Sequence, residues 1–192
     1  MKRLCIVFLF IVIQGAWAAD ENGFSWSLGL VSTSQAIEGS LARPIRMNDG
    51  DIFKIVILSK APCYCYVVVQ DSEKNIIILY TGTLGEDDVL TLGPIQVTPP
   101  PGLEYFYICM SAEPQPDLKN SIDAFGRNQK SSKAAQDVMD SVFGIRRSIT
   151  ALKENPERPV LMGGTFRGMD EKANSVEYSG VGVYVKTITI RH

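Results

Sequence analysis

Histidine is almost missing from this sequence of 192 residues: the single copy is His192, the last residue. Without it no Ser-His-Asp or Cys-His arrangement can be assembled, and a His-rich zinc site is excluded. Other absences narrow the field further. Cys63-x-Cys65 lacks the two-residue spacer of redox motifs and has no second ligand pair for zinc. The run Gly163-Gly164-Thr165-Phe166-Arg167-Gly168 matches neither the dinucleotide-binding nor the Walker A glycine spacing. Met47 and Ile45 stand where a calcium loop ending at Asn48-Asp49-Gly50-Asp51 would need oxygen ligands, so that tetrapeptide reads as a turn. Cofactor and metal sites are therefore not expected. No N-x-S/T sequon occurs, and there is no excess of basic charge to suggest nucleic acid as a partner.

Long apolar runs are also lacking, apart from one near the start. Met1-Lys2-Arg3, the apolar stretch from Leu4 to Ile13 and Ala16-Trp17-Ala18 make a secretory leader over residues 1–18, too short for the roughly 20 residues of a spanning helix. The expected mature chain begins near Ala19, carries no transmembrane anchor and is periplasmic or extracellular. Loss of Lys2 and Arg3 leaves 17 basic residues against 21 acidic ones. Residues 19–192 suffice for one domain with a real core.

What is present is β-rich. Asp49 to Tyr80 reads as three successive strands, Ile52 to Leu58, Cys63 to Val69 and Ile76 to Tyr80, expected to form an antiparallel meander; the first two are apolar enough to be buried on both faces. Phe24, Trp26, Leu28 and Leu30 give an earlier strand with one apolar face. Gly93-Pro94 argues against a regular central strand over Val89 to Val97. Leu103 to Met110 is an aromatic strand with Tyr105, Tyr107 and Cys109 on one face and Phe106, Ile108 and Met110 on the other. Near the end, Val181, Val183 and Val185 have the opposite parity to Ile188 and Ile190, which predicts a bulge near Lys186 or Thr187.

Between these strands the period changes. Leu118, Ile122 and Phe125 predict a short helix ending near Gly126. Ala135, Val138, Val142, Ile145, Ile149 and Leu152 predict a long amphipathic one, capped by Ser131 or Ser132. The expected fold class is thus mainly β: an antiparallel β-sandwich with a helical insertion over residues 117–155, before the last strands.

Candidate site residues are few. Cys63 and Cys65 lie two apart on one strand, about 6.6 Å from each other and badly placed to bond, so Cys109 is the better disulfide partner for either. Such a bridge would be worth about 4 kcal/mol in a chain-entropy model, and the competing reading is three free thiols in the core. Tyr64, Tyr66, Tyr80, Tyr105 and Tyr107 could make an aromatic binding surface, although such faces more often serve core and cross-strand packing. Arg167, between glycines, suits an anion contact or a loop-bracing role.

The order DGDIFKIVILSKAPCYCYVVVQDSEKNIIILY, an acidic loop, then GPIQVTPPPGLEYFYICMSAEP resembles the bacterial family catalogued as domain of unknown function 4384. The likeness spans about Leu41 to Pro114. It implies a sandwich-like domain of exported or envelope-associated proteins, and brings no catalytic residue with it; the long helix after Ser131 departs from the pattern. The leading expectation is a non-enzymatic accessory module that binds another envelope protein. The alternative is a small-ligand or glycan binder using the tyrosines, and a carboxylate-dependent hydrolase stands as a remote third.

Overall fold

The computed structural model describes residues 23–32, 41–151, 160–162 and 174–192. They build two five-stranded sheets that pack face to face as a β-sandwich, with a helical pair inserted late in the chain. The expected leader over residues 1–18, the predicted helix residue Leu152 and Arg167 lie outside the described residues.

The first sheet has the order β6-β3-β1-β9-β8, from Val89–Gln96 (β6), Ile52–Ser59 (β3), Gly23–Ser32 (β1), Asn174–Val181 (β9) and Val160–Met162 (β8). The second has the order β2-β10-β7-β4-β5, from Ile45–Arg46 (β2), Val183–Arg191 (β10), Leu103–Ser111 (β7), Cys63–Gln70 (β4) and Ile76–Leu84 (β5). All pairings are antiparallel except the two-residue contact of β2 with β10.

The expected meander is divided between these sheets. β3 already has β1 and β6 on its two sides, so the chain leaves it at a corner. There Ser59 N–H donates to Asp88 O (3.0 Å) and Asp87 N–H donates to Ser59 O (2.9 Å), while Pro62 has no N–H with which to continue a ladder. Only β4 and β5 form a hairpin. β6 carries Gly93-Pro94 on the outer edge of its sheet, opposite a register shift between Phe53 and Ile55, which is where a sheet tolerates proline. Gly93 itself has φ +120°, and a Cβ there would meet Phe53 O at 2.9 Å.

Between the sheets lie Trp26, Leu28, Phe53, Ile55, Ile57, Val67, Phe106, Ile108, Ile188 and Ile190, all buried. Trp26 stacks on Tyr178 at 4.8 Å and meets Tyr184 edge-on at 5.8 Å. Lys186, also buried, sets its ammonium 5.2 Å from the centre of the Tyr178 ring, a cation–π contact that offsets part of its burial cost.

The opposite face of the second sheet is covered by α1 (Pro116–Arg127) and α2 (Ser132–Ala151). Leu118, Ile122 and Phe125 of α1 and Val138, Met139 and Val142 of α2 pack on Tyr66, Val68, Tyr107 and Cys109. The Ser131 hydroxyl accepts from Ala134 N–H at 3.1 Å and so caps α2. The Tyr66 hydroxyl accepts from Gln115 N–H at 3.2 Å, meeting a donor at the start of α1.

This second core removes the need for a bulge in the last strand. β10 stays in unbroken register with β7, from Val183↔Ser111 to Arg191↔Leu103. Val183 and Val185 face the helices, whereas Tyr184, Ile188 and Ile190 face the first sheet. The change of parity near Lys186 therefore marks a strand with two buried faces, and Val181 belongs to β9, across the corner at Gly182 (φ +79°).

Leu118 is fully buried beneath the helical pair, so Leu118→Ala should cost about 2–5 kcal/mol. Chemical denaturation monitored by circular dichroism measures it, and a loss below the lower figure would mean that the helices contribute little to the fold.

Candidate binding edge

Among the described residues four strands end the two sheets, and three of them are blunted. β2 has two residues and β8 has three, while β6 is interrupted by Gly93-Pro94. β5 is nine residues long, IIILYTGTL, with neither proline nor charge. These are the marks of an edge open to pairing. Its one irregularity is a bulge at Leu79, because Val67 pairs with Tyr80 and Val68 with Ile78. It divides the edge into two regular stretches, Ile76 to Ile78 opposite Gln70, Val69 and Val68, and Tyr80 to Leu84 opposite Val67 to Cys63. Ile77 is 47% exposed, one of two large apolar side chains so exposed among the described residues.

The turn that delivers β5 is held by one carboxylate. Asp71 Oδ1 accepts from Glu73 N–H (2.9 Å) and Asn75 N–H (2.7 Å), and Asp71 Oδ2 accepts from the Asn75 amide (2.9 Å), an Asx-type arrangement. Ser72 donates to Pro100 O at 2.9 Å, which ties the turn to the Thr98–Gly102 connector. Gly102 fits because any Cβ would lie 2.7 Å from Ser72 Cβ.

Two clefts flank this half of β5. The outer one, about 550 Å³, runs between β5 and α1 and is lined by Ile76, Ile77, Ile78, Ile122, Phe125 and Arg127 among others. The inner one, about 240 Å³, opens between the sheets over Val69, Ile77, Leu79, Ile95 and Phe106, with Asp71, Glu73 and Glu104 in its wall. Behind Glu104 sits His192, whose side chain is 0% exposed. Its Nδ1 is 3.2 Å from Asp49 Oδ1, and its Nε2 is 3.7 Å from Glu104 Oε1, an ion-pair distance too long for a hydrogen bond. Burial raises the Glu104 pKa above its ordinary 4.5; Asp71 adds to the rise and His192 opposes it. His192 also exchanges two backbone hydrogen bonds with Gly102 (3.0 and 3.2 Å). The imidazole thus joins β10 to the Asn48–Asp51 turn and to β7. With a carboxylate at each ring nitrogen it acts as a clamp.

The sequence-predicted residues are placed elsewhere. Cys63 and Cys65 point into the core between the sheets, and Cys109 points to the helices. The register fixes this: Tyr66 lies opposite Cys109 and Cys65 opposite Met110, and residues directly opposite share a face. A bridge from Cys63 or Cys65 to Cys109 would have to pass through the sheet, and all three are buried free thiols. Burial pushes the Cys109 thiol up to about 12. It also raises Cys65, with Cys63 and Cys109 adding, and Cys63, where a contact from Ser59 Oγ at 3.2 Å opposes the rise.

The tyrosines do not form one open surface. Tyr66 and Tyr107 are buried under the helices, with Tyr64 and Tyr105 half-buried beside them. Tyr107 stacks on Tyr105 at 6.2 Å and meets Phe143 edge-on at 5.7 Å. Tyr80 packs with the other core and donates to Thr83 O at 3.1 Å. A third depression, about 740 Å³, lies between α1 and α2, with Asp117, Asp137, Ser121 and Ser141 in its lining beside Leu118 and Ile145. No group of three or more His, Cys, Asp or Glu among the described residues is placed to hold a metal ion. Comparison with protein-family models, with curated proteins and with solved structures finds no match.

Sequence reasoning passed over His192 because chain ends usually fray, and Glu104 because nothing local marks it. The absence of charge in β5 was legible, but not that β5 would be an edge. Two tests follow. Alkylation of the native, unreduced protein should leave Cys63, Cys65 and Cys109 unmodified, and denaturation without reductant should expose all three to labelling, read by mass spectrometry; a pair that labels only after reduction would contradict the register argument. Glu104 has a raised folded pKa, so the stability it allows is fully present below 4.5 and is lost as pH rises through the folded value. Melting temperatures across that range should therefore fall for the native protein relative to Glu104→Gln as pH rises; parallel curves would remove Glu104 from this role.

Proposed function

We propose that this chain is an exported, envelope-associated module that works by holding another protein and performs no catalysis. The observation that carries the reading is β5, an uncharged open edge set between two clefts. The leader-like start and the likeness over Leu41 to Pro114 to an envelope-associated bacterial family support the exported setting, periplasmic or extracellular. Among the described residues no helix is long and apolar enough to cross a membrane.

Burial of Tyr66 and Tyr107 leaves the glycan-binding alternative without its expected surface, and the His192 clamp serves the packing of one end of the sandwich. The test is capture from envelope extracts with the purified chain and with Ile77→Lys, a change at an exposed side chain that should leave melting unaltered. A protein retained by the native chain and lost by Ile77→Lys supports the reading. Equal capture by both, or none by either, refutes it.

A further inference from the structure

We infer that β5 receives an extended segment of the partner protein as an added strand, with apolar side chains at alternate positions and a lysine or arginine directed into the inner cleft. This rests on the binding reading above and specifies its chemistry. Strand addition needs an edge with outward backbone groups and places on both faces for side chains that alternate along the incoming strand. Both are found at the same three residues. Ile76 to Ile78 is the regular stretch of the edge that the clefts flank: the outer and inner clefts open on its two sides, with Ile77 in the lining of each. A strand laid about 4.8 Å away would present successive side chains to one cleft and then the other.

The two clefts ask for different chemistry. The outer is mostly aliphatic and aromatic, through Ile76, Ile78, Ile122 and Phe125. The inner has an apolar floor but an acidic wall, Asp71, Glu73 and Glu104, with no lysine or arginine in its lining. Asp71 already accepts three hydrogen bonds from its own turn. The Glu104 side chain is only 14% exposed, and His192 approaches its carboxylate no closer than 3.7 Å. A largely buried carboxylate of this kind gains most from a charged donor brought to it. A second copy of the chain would not serve, since β5 holds no basic residue to offer and its bulge at Leu79 breaks a long β5–β5 pairing.

The test is selection of nine-residue peptides, displayed as a random library, on the purified mature chain, followed by affinity measurement of the consensus peptide by fluorescence anisotropy. Alternating apolar positions with one lysine or arginine are expected. Replacing that basic residue by glutamate should weaken binding about tenfold or more, and Glu104→Gln should abolish most of this discrimination. Methylating backbone nitrogens at every second residue should cost about tenfold in one register and little in the other, as a one-sided ladder requires. Peptides that bind Ile77→Lys equally, lack the basic position or tolerate methylation in both registers overturn the inference. So does failure to select any peptide while an Ile77-dependent protein is still captured from envelope extracts, an outcome that leaves the binding reading intact. Absence of Ile77-dependent capture together with absence of selected peptides overturns both.

Discussion

Alternation of side chains across β4, β7 and β10 commits each of these strands to two cores at once. One face meets the first sheet and the other meets the helical pair. Were the helices absent, Val68, Tyr66, Tyr107 and Cys109 would form a contiguous apolar face of the kind that monomeric proteins rarely expose. The insertion between β7 and β8 is therefore part of the fold's energetics. It also explains why these strands read as nearly continuous apolar runs, a pattern expected when neither face is wet.

Two apolar faces create a difficulty of their own, because a one-residue slip of register would still bury hydrophobic side chains on both sides. Polar groups resolve it. Lys186 fits where the Tyr178 ring lies beneath it, and the Tyr66 hydroxyl fits where it meets Gln115 N–H. Buried Ser111 donates to Glu113 O at 2.6 Å and accepts from the Gln115 amide at 2.9 Å, closing the corner between β7 and α1. At the other end Asp49, Glu104 and His192 fasten the turn before β3 and the start of β7 to the end of β10. Unpaired polar groups in these places would be costly, so the few that are buried contribute specificity that the aliphatic residues cannot.

Much of the architecture was readable from periodicity. The two faces of β7, the buried face of α1, and Ala135, Val138, Val142 and Ile145 of α2 follow from spacing of two or of three and four, and Gly93-Pro94 kept its strand from a central position; the burial of Met139 was not anticipated. What spacing could not give was sheet membership. β3 and β4 look like neighbours in sequence, and nothing in Lys60-Ala61-Pro62 says that the chain crosses to the other sheet there. The cysteines show the same limit: parity correctly put Cys63 and Cys65 on one face, but only the register of β4 against β7 put Cys109 on the other. The candidate edge was the least legible part, since exposure of Ile77 depends on where β5 falls in the sheet order and not on its composition.

The pairing of β1 with β9 has a kinetic meaning. Residues 23–32 find one neighbour in β3 but the other only at residues 174–181, and β7 likewise waits for β10. Contacts so distant in sequence must await closure of a large loop and slow the search for the native state. Neither sheet can close until the late strands are available, because β9 is interior to one and β10 to the other. The topology that makes folding slow also makes it all-or-none: a chain cut short before residue 174 would lack an interior strand of each sheet and could complete neither.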